Sequence, residues 1–188
     1  MTATTATDTL TGHYRLDPAH SRIGFVARHA MVTKVRGSFT EVDGAGYLDA
    51  AEPANSSLEV TIAARSIDTR NADRDAHLRS NDFLAMDEYP EISFVSTAFD
   101  QASPDVLSVT GDLTLRGVTR PVAFELELTG PAVDPFGSQR IGLEGQVVIN
   151  RKDWGVNWNA ALEAGGVLVS EKITLEFEIS AVRQVDDA

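Results

Sequence analysis

The chain contains no cysteine among its 188 residues. That excludes disulfides, thiol catalysis, iron–sulfur clusters and cysteine-based zinc sites together. Positive charge is scarce: 16 Lys and Arg stand against 28 Asp and Glu, a formal net charge of −12. Such a surface repels nucleic-acid phosphates over most of its area, so no nucleic-acid partner is expected. No apolar run approaches the ~18–20 residues that cross a bilayer as a helix, so no transmembrane segment is expected. The opening stretch MTATTATDTLTG has neither a basic n-region nor an apolar h-region. It reads as a disordered tail over residues 1–12, followed by one domain over 13–183 and a short tail over 184–188, with a cytoplasmic location. A phosphate-binding glycine loop and a GxSxG nucleophile elbow are also missing.

What is present is alternation with period two. Leu107, Val109, Gly111, Leu113 and Leu115 share one face, as do Val122, Phe124, Leu126 and Leu128. Ile141, Leu143, Gly145, Val147 and Ile149 repeat the pattern, and so do Ile173, Leu175, Phe177 and Ile179. Leu58 to Ala64 and Ile23 to Ala27 are shorter versions, Gly37 and Phe39 share a face, and Ile92, Phe94, Ser96 and Ala98 make a weaker one. About eight strands, each apolar on one side, predict an antiparallel sheet. Arg116 to Pro121 reads as a hairpin, and Gly44 and Gly46 as a break near residue 45. Only residues 70–88 look helical, with Thr69 as a candidate cap and Pro90 as a stop. One short helix cannot cover an open sheet, so the sheet must close on itself. The expected fold is all-β, an eight-stranded up-and-down barrel with a helical insertion. The inward glycines Gly37, Gly111 and Gly145 are expected to permit bending and to leave the bore open.

Chemistry-bearing residues are few. His20 and His29 lie nine apart and face opposite sides of one uninterrupted strand, so no metal site is expected. His29 shares the face of Ile23, Phe25 and Ala27 and is expected to point inward. There it is either a hydrogen-bonded neutral histidine near the barrel end or a polar handle for a ligand head group. Arg65, Arg70, Arg74 and Arg79 face Asp68, Asp73 and Asp75 in sequence. They form either a self-paired surface or a small anion site at the barrel mouth, to which Arg151 and Lys152 would add. Trp154 and Trp158 either plug a barrel end or line its mouth. No spacing singles out a pair of carboxylates for acid–base work.

Five ordered stretches carry a resemblance: DPAHSRIGFVARHAMVTKVRGSF from Asp17, SIDTRNADRDAHLRSNDFLAMDEYPEISF from Ser66, GDLTLRGVTRPV from Gly111, INRKDWGVN from Ile149 and VSEKITLEFE from Val169. Together they resemble the YceI-like family, the polyisoprenoid-binding proteins, over about residues 14–181. The resemblance implies a lipocalin-like barrel that binds or carries an isoprenoid or similar amphiphilic lipid without catalysis. Leu84-Ala85 departs from relatives that carry a second aromatic after Phe83. The implied ligand contacts are Phe25, His29, Phe39, Ile62, Arg74, His77, Leu78, Phe83, Phe94, Leu113, Phe124, Leu126 and Trp154. No cofactor is expected beyond a bound isoprenoid or fatty lipid, and a homodimer is compatible with a barrel of this size. The competing reading is an enzyme acting on a prenyl lipid or its diphosphate head, with His29, His77 and Asp75 as candidates.

Overall fold

The structure, a computed structural model, describes residues 9–185. Much of the two expected tails, residues 1–8 and 186–188, lies outside the described residues. The strands are β1 (Gly12–Leu16), β2 (Arg22–His29), β3 (Thr33–Phe39), β4 (Val42–Leu48), β5 (Ser57–Ala63) and β6 (Ile67–Asp68), then β7 (Glu91–Ser103), β8 (Val106–Leu115), β9 (Val118–Val133), β10 (Gln139–Asn150) and β11 (Lys172–Arg183). Every pairing among them is antiparallel. β1 and β2 are successive segments of one bent stave, because β1 pairs β11 near Ala181 while β2 pairs it near Glu176. β3 with β4, and β5 with β6, are interrupted in the same way. Eight staves therefore run up and down in chain order, and β11 closes on β1 and β2.

The turns follow local chemistry. Arg116 and Gly117, with φ of 50° and 71°, make the two-residue link between Leu115 and Val118. Positive φ at both central positions is the turn whose twist matches paired strands. Gly44 and Gly46 are not a break: both sit within β4, opposite Val60 and Leu58 of β5. Glycine is a turn signal in sequence, but here the ladder to β5 holds both residues in the strand. β7 carries a register shift between Ser96 and Ala98, which returns Phe99 to the core and leaves Ala98 exposed. The expected inward run through Ala98 fails at that bulge, because one extra residue swaps the faces.

The insertion is helical only over α1 (Ala72–Arg79). Its cap is Asn71, whose side chain accepts the Arg74 N–H at 2.9 Å, not Thr69. Thr69 is buried instead, giving its N–H and hydroxyl to Asp75 at 2.9 and 2.6 Å. Ser80 closes the helix by donating to the His77 carbonyl at 2.6 Å. Residues 81–88 then form turns rather than helix, because Phe83, Leu84 and Ala85 dip into the core.

Two packed clusters mark the two ends of the barrel. Tyr14, Leu48, Phe99, Leu107, Val109, Leu126, Ile141 and Ala181 form one. Leu16, Ile23, Ile62, Ile67, Leu84, Leu113, Ile149 and Trp154 belong to the other, beneath the insertion.

Candidate functional site

An interior cavity of about 270 Å³ connects the two clusters. Its size lies near the lower limit of small-molecule pockets, about 300–1,000 Å³. It is long rather than wide: Ile173, Leu175, Phe177, Ile179 and Ala181 of β11 all line it. Those eight residue steps cover about 26 Å of strand. The alternation of β8 to β11 creates this wall, since every second side chain enters the lumen. Several large side chains in it, including Phe25, Phe94, Phe124 and Phe177, are only half-buried although they point inward. The cavity surface accounts for that exposure.

The inward glycines do not widen the bore as expected. A Cβ on Gly37 would collide with the Phe25 ring, and one on Gly111 with the Phe94 ring. Gly37 and Gly111 leave the space that these two rings occupy against the wall. Phe94, Phe124 and Phe177 form a continuous row, with centroids 5.3 and 5.0 Å apart. Apart from Tyr14, Tyr47, Ser57 and Arg151, every lining side chain is apolar or glycine. The first three lie toward the β1 end, where Tyr14 faces Gly46 and Ser57 faces Tyr47 across the ladder.

At that end the barrel is tied by charge. Arg140 donates to Asp17 at 2.6 Å and to Asp134 at 2.8 Å. Arg140, aided by His20, holds the Asp17 carboxyl down to about 2. Burial pushes the Tyr14 hydroxyl above its usual range, and that hydroxyl donates to the Leu10 carbonyl at 2.8 Å.

The other end is capped by α1 and by residues 151–170. His77 meets Phe83 and Trp158 edge-on, at 5.0 and 4.6 Å, and its Nε2 lies 2.8 Å from Asp82. Trp154 is 3% exposed, and its indole N–H donates to the Leu113 carbonyl at 3.0 Å. The arginines stitch this cap to the barrel. Arg74 donates to Thr69, Arg79 to the carbonyls of Arg65 and Ile67, and Arg116 to those of Asn81 and Phe83. Arg65 pairs with Glu41 at 2.6 Å.

Of the contacts expected from sequence, Phe25, Phe39, Ile62, Leu78, Phe83, Phe94, Leu113, Phe124 and Leu126 line the cavity. His29, Arg74, His77 and Trp154 do not. His29 is exposed rather than inward, because it ends β2 beyond the lumen, bridged to Val169. Arg74 and His77 face cap partners, and Trp154 is a core residue. The three residues an enzyme would use each have a different partner: Asp75 accepts from Thr69, His77 meets Asp82, and His29 is bridged to Val169. Leu143, Val147, Leu175 and Phe177 line the cavity beyond the expected contacts, and their alternation in the sequence is the signal that marks them. Arg151 and Lys152 are neighbours expected to act together. The structure separates them: Lys152 is exposed on Glu171, while Arg151 is buried on the cavity wall.

A closed, meandering antiparallel barrel with an apolar lumen and a capped mouth defines a lipocalin-like architecture. Residues 14–181 match the YceI-like domain, and the chain belongs to the YceI-like family. It is similar to a UPF0312 protein of Staphylococcus aureus (strain MSSA476), 38% identical over 170 residues that span 90% of this chain and 95% of the relative. The Campylobacter jejuni YCEI protein superposes with a TM-score of 0.72 at 27% identity, over 84% of this chain and 90% of that one. Burkholderia cenocepacia BcnA shares the fold, with a TM-score of 0.78 at 22% identity over 88% and 98% of the two chains. So does a polyisoprenoid binding domain from Saccharophagus degradans, at 0.69 and 16% over 91% and 98%. Among the described residues no helix is long and apolar enough to cross a membrane.

Proposed function

We propose that this protein is a non-catalytic binder and carrier of a long-chain isoprenoid or similar amphiphilic lipid, held inside the barrel. The observation that carries this reading is the elongated apolar cavity between the two packed ends. A slender hydrocarbon matches its shape. Each buried CH₂ contributes about 0.8 kcal/mol, so a few isoprene units offset the entropy lost on binding. The neighbour from Saccharophagus degradans, named as a polyisoprenoid binding domain, supports the same ligand class. The contacts in this reading are the lining residues foreseen from sequence, together with Leu143, Val147, Leu175 and Phe177.

Native mass spectrometry of the purified protein, with solvent extraction of any bound molecule, tests this. The expected result is a stoichiometric long-chain lipid, or uptake of one on incubation with prenyl lipids. A mass that stays that of the bare chain after such incubation would overturn the proposal.

A further inference from the structure

Arg151 is the one charged side chain on the cavity wall among the described residues. It is 3% exposed and sits in the 3-10 turn that follows β10, under the cap. Its guanidinium donates to three backbone carbonyls: Nε to Ser170 at 2.9 Å, Nη1 to Val156 at 2.6 Å and Nη2 to Val169 at 3.4 Å. None of these partners carries a charge. Glu171, whose charge acts on Arg151, is itself bound to Lys152 at 2.6 Å. Burial disfavours the Arg151 charge and pushes its pKa down. A guanidinium has five N–H donors, so two remain beyond the three carbonyls.

A clip for three carbonyls needs donors but not a charge. Burying a cation whose direct partners are all neutral carries a desolvation cost that a neutral donor would avoid. The cost is recovered when an anion arrives beside the guanidinium in a water-poor site. The wall around it, including Val156, Val169 and Ile149, is apolar. An anionic group is therefore recognised there only if it is the head of an apolar chain that fills the lumen.

We infer that Arg151 is the anion subsite of the cavity, selecting amphiphiles with a single acidic head, a carboxylate or a phosphate monoester. This rests on the lipid-binding reading above and adds the head-group chemistry and its orientation: head beneath the cap, tail toward the Asp17–Arg140 end.

The test compares farnesol, farnesoic acid and farnesyl monophosphate by calorimetric titration into the intact protein. The acid and the phosphate are expected to bind at least tenfold more tightly than the alcohol. Arg151→Met should erase that preference, so that the acid and the phosphate bind no more tightly than the alcohol. Arg151→Lys should keep part of it. Nitrogen-15 spectra of the wild type provide a readout that needs no variant: the Arg151 Nε–H resonance should move with the acid and stay with the alcohol. Equal binding of all three ligands, or an Arg151 resonance unmoved at saturating acid, would overturn the anion subsite while leaving the lipid reading intact. Binding of none of the three would count against the lipid reading itself, and the subsite would fall with it.

Discussion

At the β1 end the barrel is closed by its own staves, while at the opposite end a separate piece of chain closes it. The β1 end combines a tight cluster around Val109, 0% exposed, with Arg140 gripped by Asp17 and Asp134. The cap end uses a short helix and an aromatic contact of His77, Phe83 and Trp158, stitched by arginines to backbone carbonyls. The first is a packed core of the staves, and the second is an added segment, or lid, that joins hydrogen bonds and ring edges to the buried side chains of Phe83, Leu84 and Ala85. Such units open locally at lower cost than a core does. If the barrel carries a lipid as proposed, the cap end is where local opening is expected to admit it, while the β1 end stays folded.

Trp154 marks where the lid ends and the core begins. Replacing it in Trp154→Ala should cost about 3–5 kcal/mol in denaturant unfolding, because a buried indole and its hydrogen bond are both lost. A cost below about 1 kcal/mol would move Trp154 into the lid. At the β1 end, Val109→Ala should cost about 2 kcal/mol, from two buried methyl groups and the space they leave. Prenyl-lipid affinity should be unchanged in that variant, since Val109 lies off the cavity wall. A parallel loss of affinity would show that the two ends are not independent.

Asp17 gives the β1 end a pH signature. Folding lowers its pKa from 3.8 to about 2, so its contribution is complete above pH ~4 and disappears as the pH falls through 2. Asp17→Asn should therefore cost about 1–2 kcal/mol at neutral pH and only a small fraction of that at pH 2. Thermal unfolding between pH 2 and pH 6 reads this directly, and parallel curves for variant and wild type would contradict it. The smallest effect belongs to the lid. His77→Ala should cost about 0.5–1 kcal/mol and appear as faster hydrogen exchange at the amides of residues 83–85, with the β8 amides unaffected.

Legibility in the sequence followed the same division. β8 to β11 were readable because one face turns to the core over most of their length, which forces alternation there. β4 was not, because Gly44 and Gly46 imitate a turn while lying in a fully paired strand. The bulge at Ser96–Ala98 was hidden because a single extra residue leaves no compositional trace. At the site, the aromatic wall was legible from Phe25, Phe94 and Phe124. The polar end was not. The insertion's arginines drew attention by number, yet Arg74 and Arg79 bind the cap itself. Arg151 lies in the hydrophilic run Asn150 to Asp153, and only the fold of residues 155–170 over it makes it buried.

The central claim is that the lumen between the two ends receives a hydrocarbon chain. The most direct measurement is calorimetric titration of one long prenol into the wild type and into Val147→Trp, which places an indole in the lumen. The account predicts one-to-one binding by the wild type with a negative heat-capacity change, and at least tenfold weaker binding by the variant at unchanged fold. Equal affinity for the two proteins, or no binding by the wild type, would contradict it.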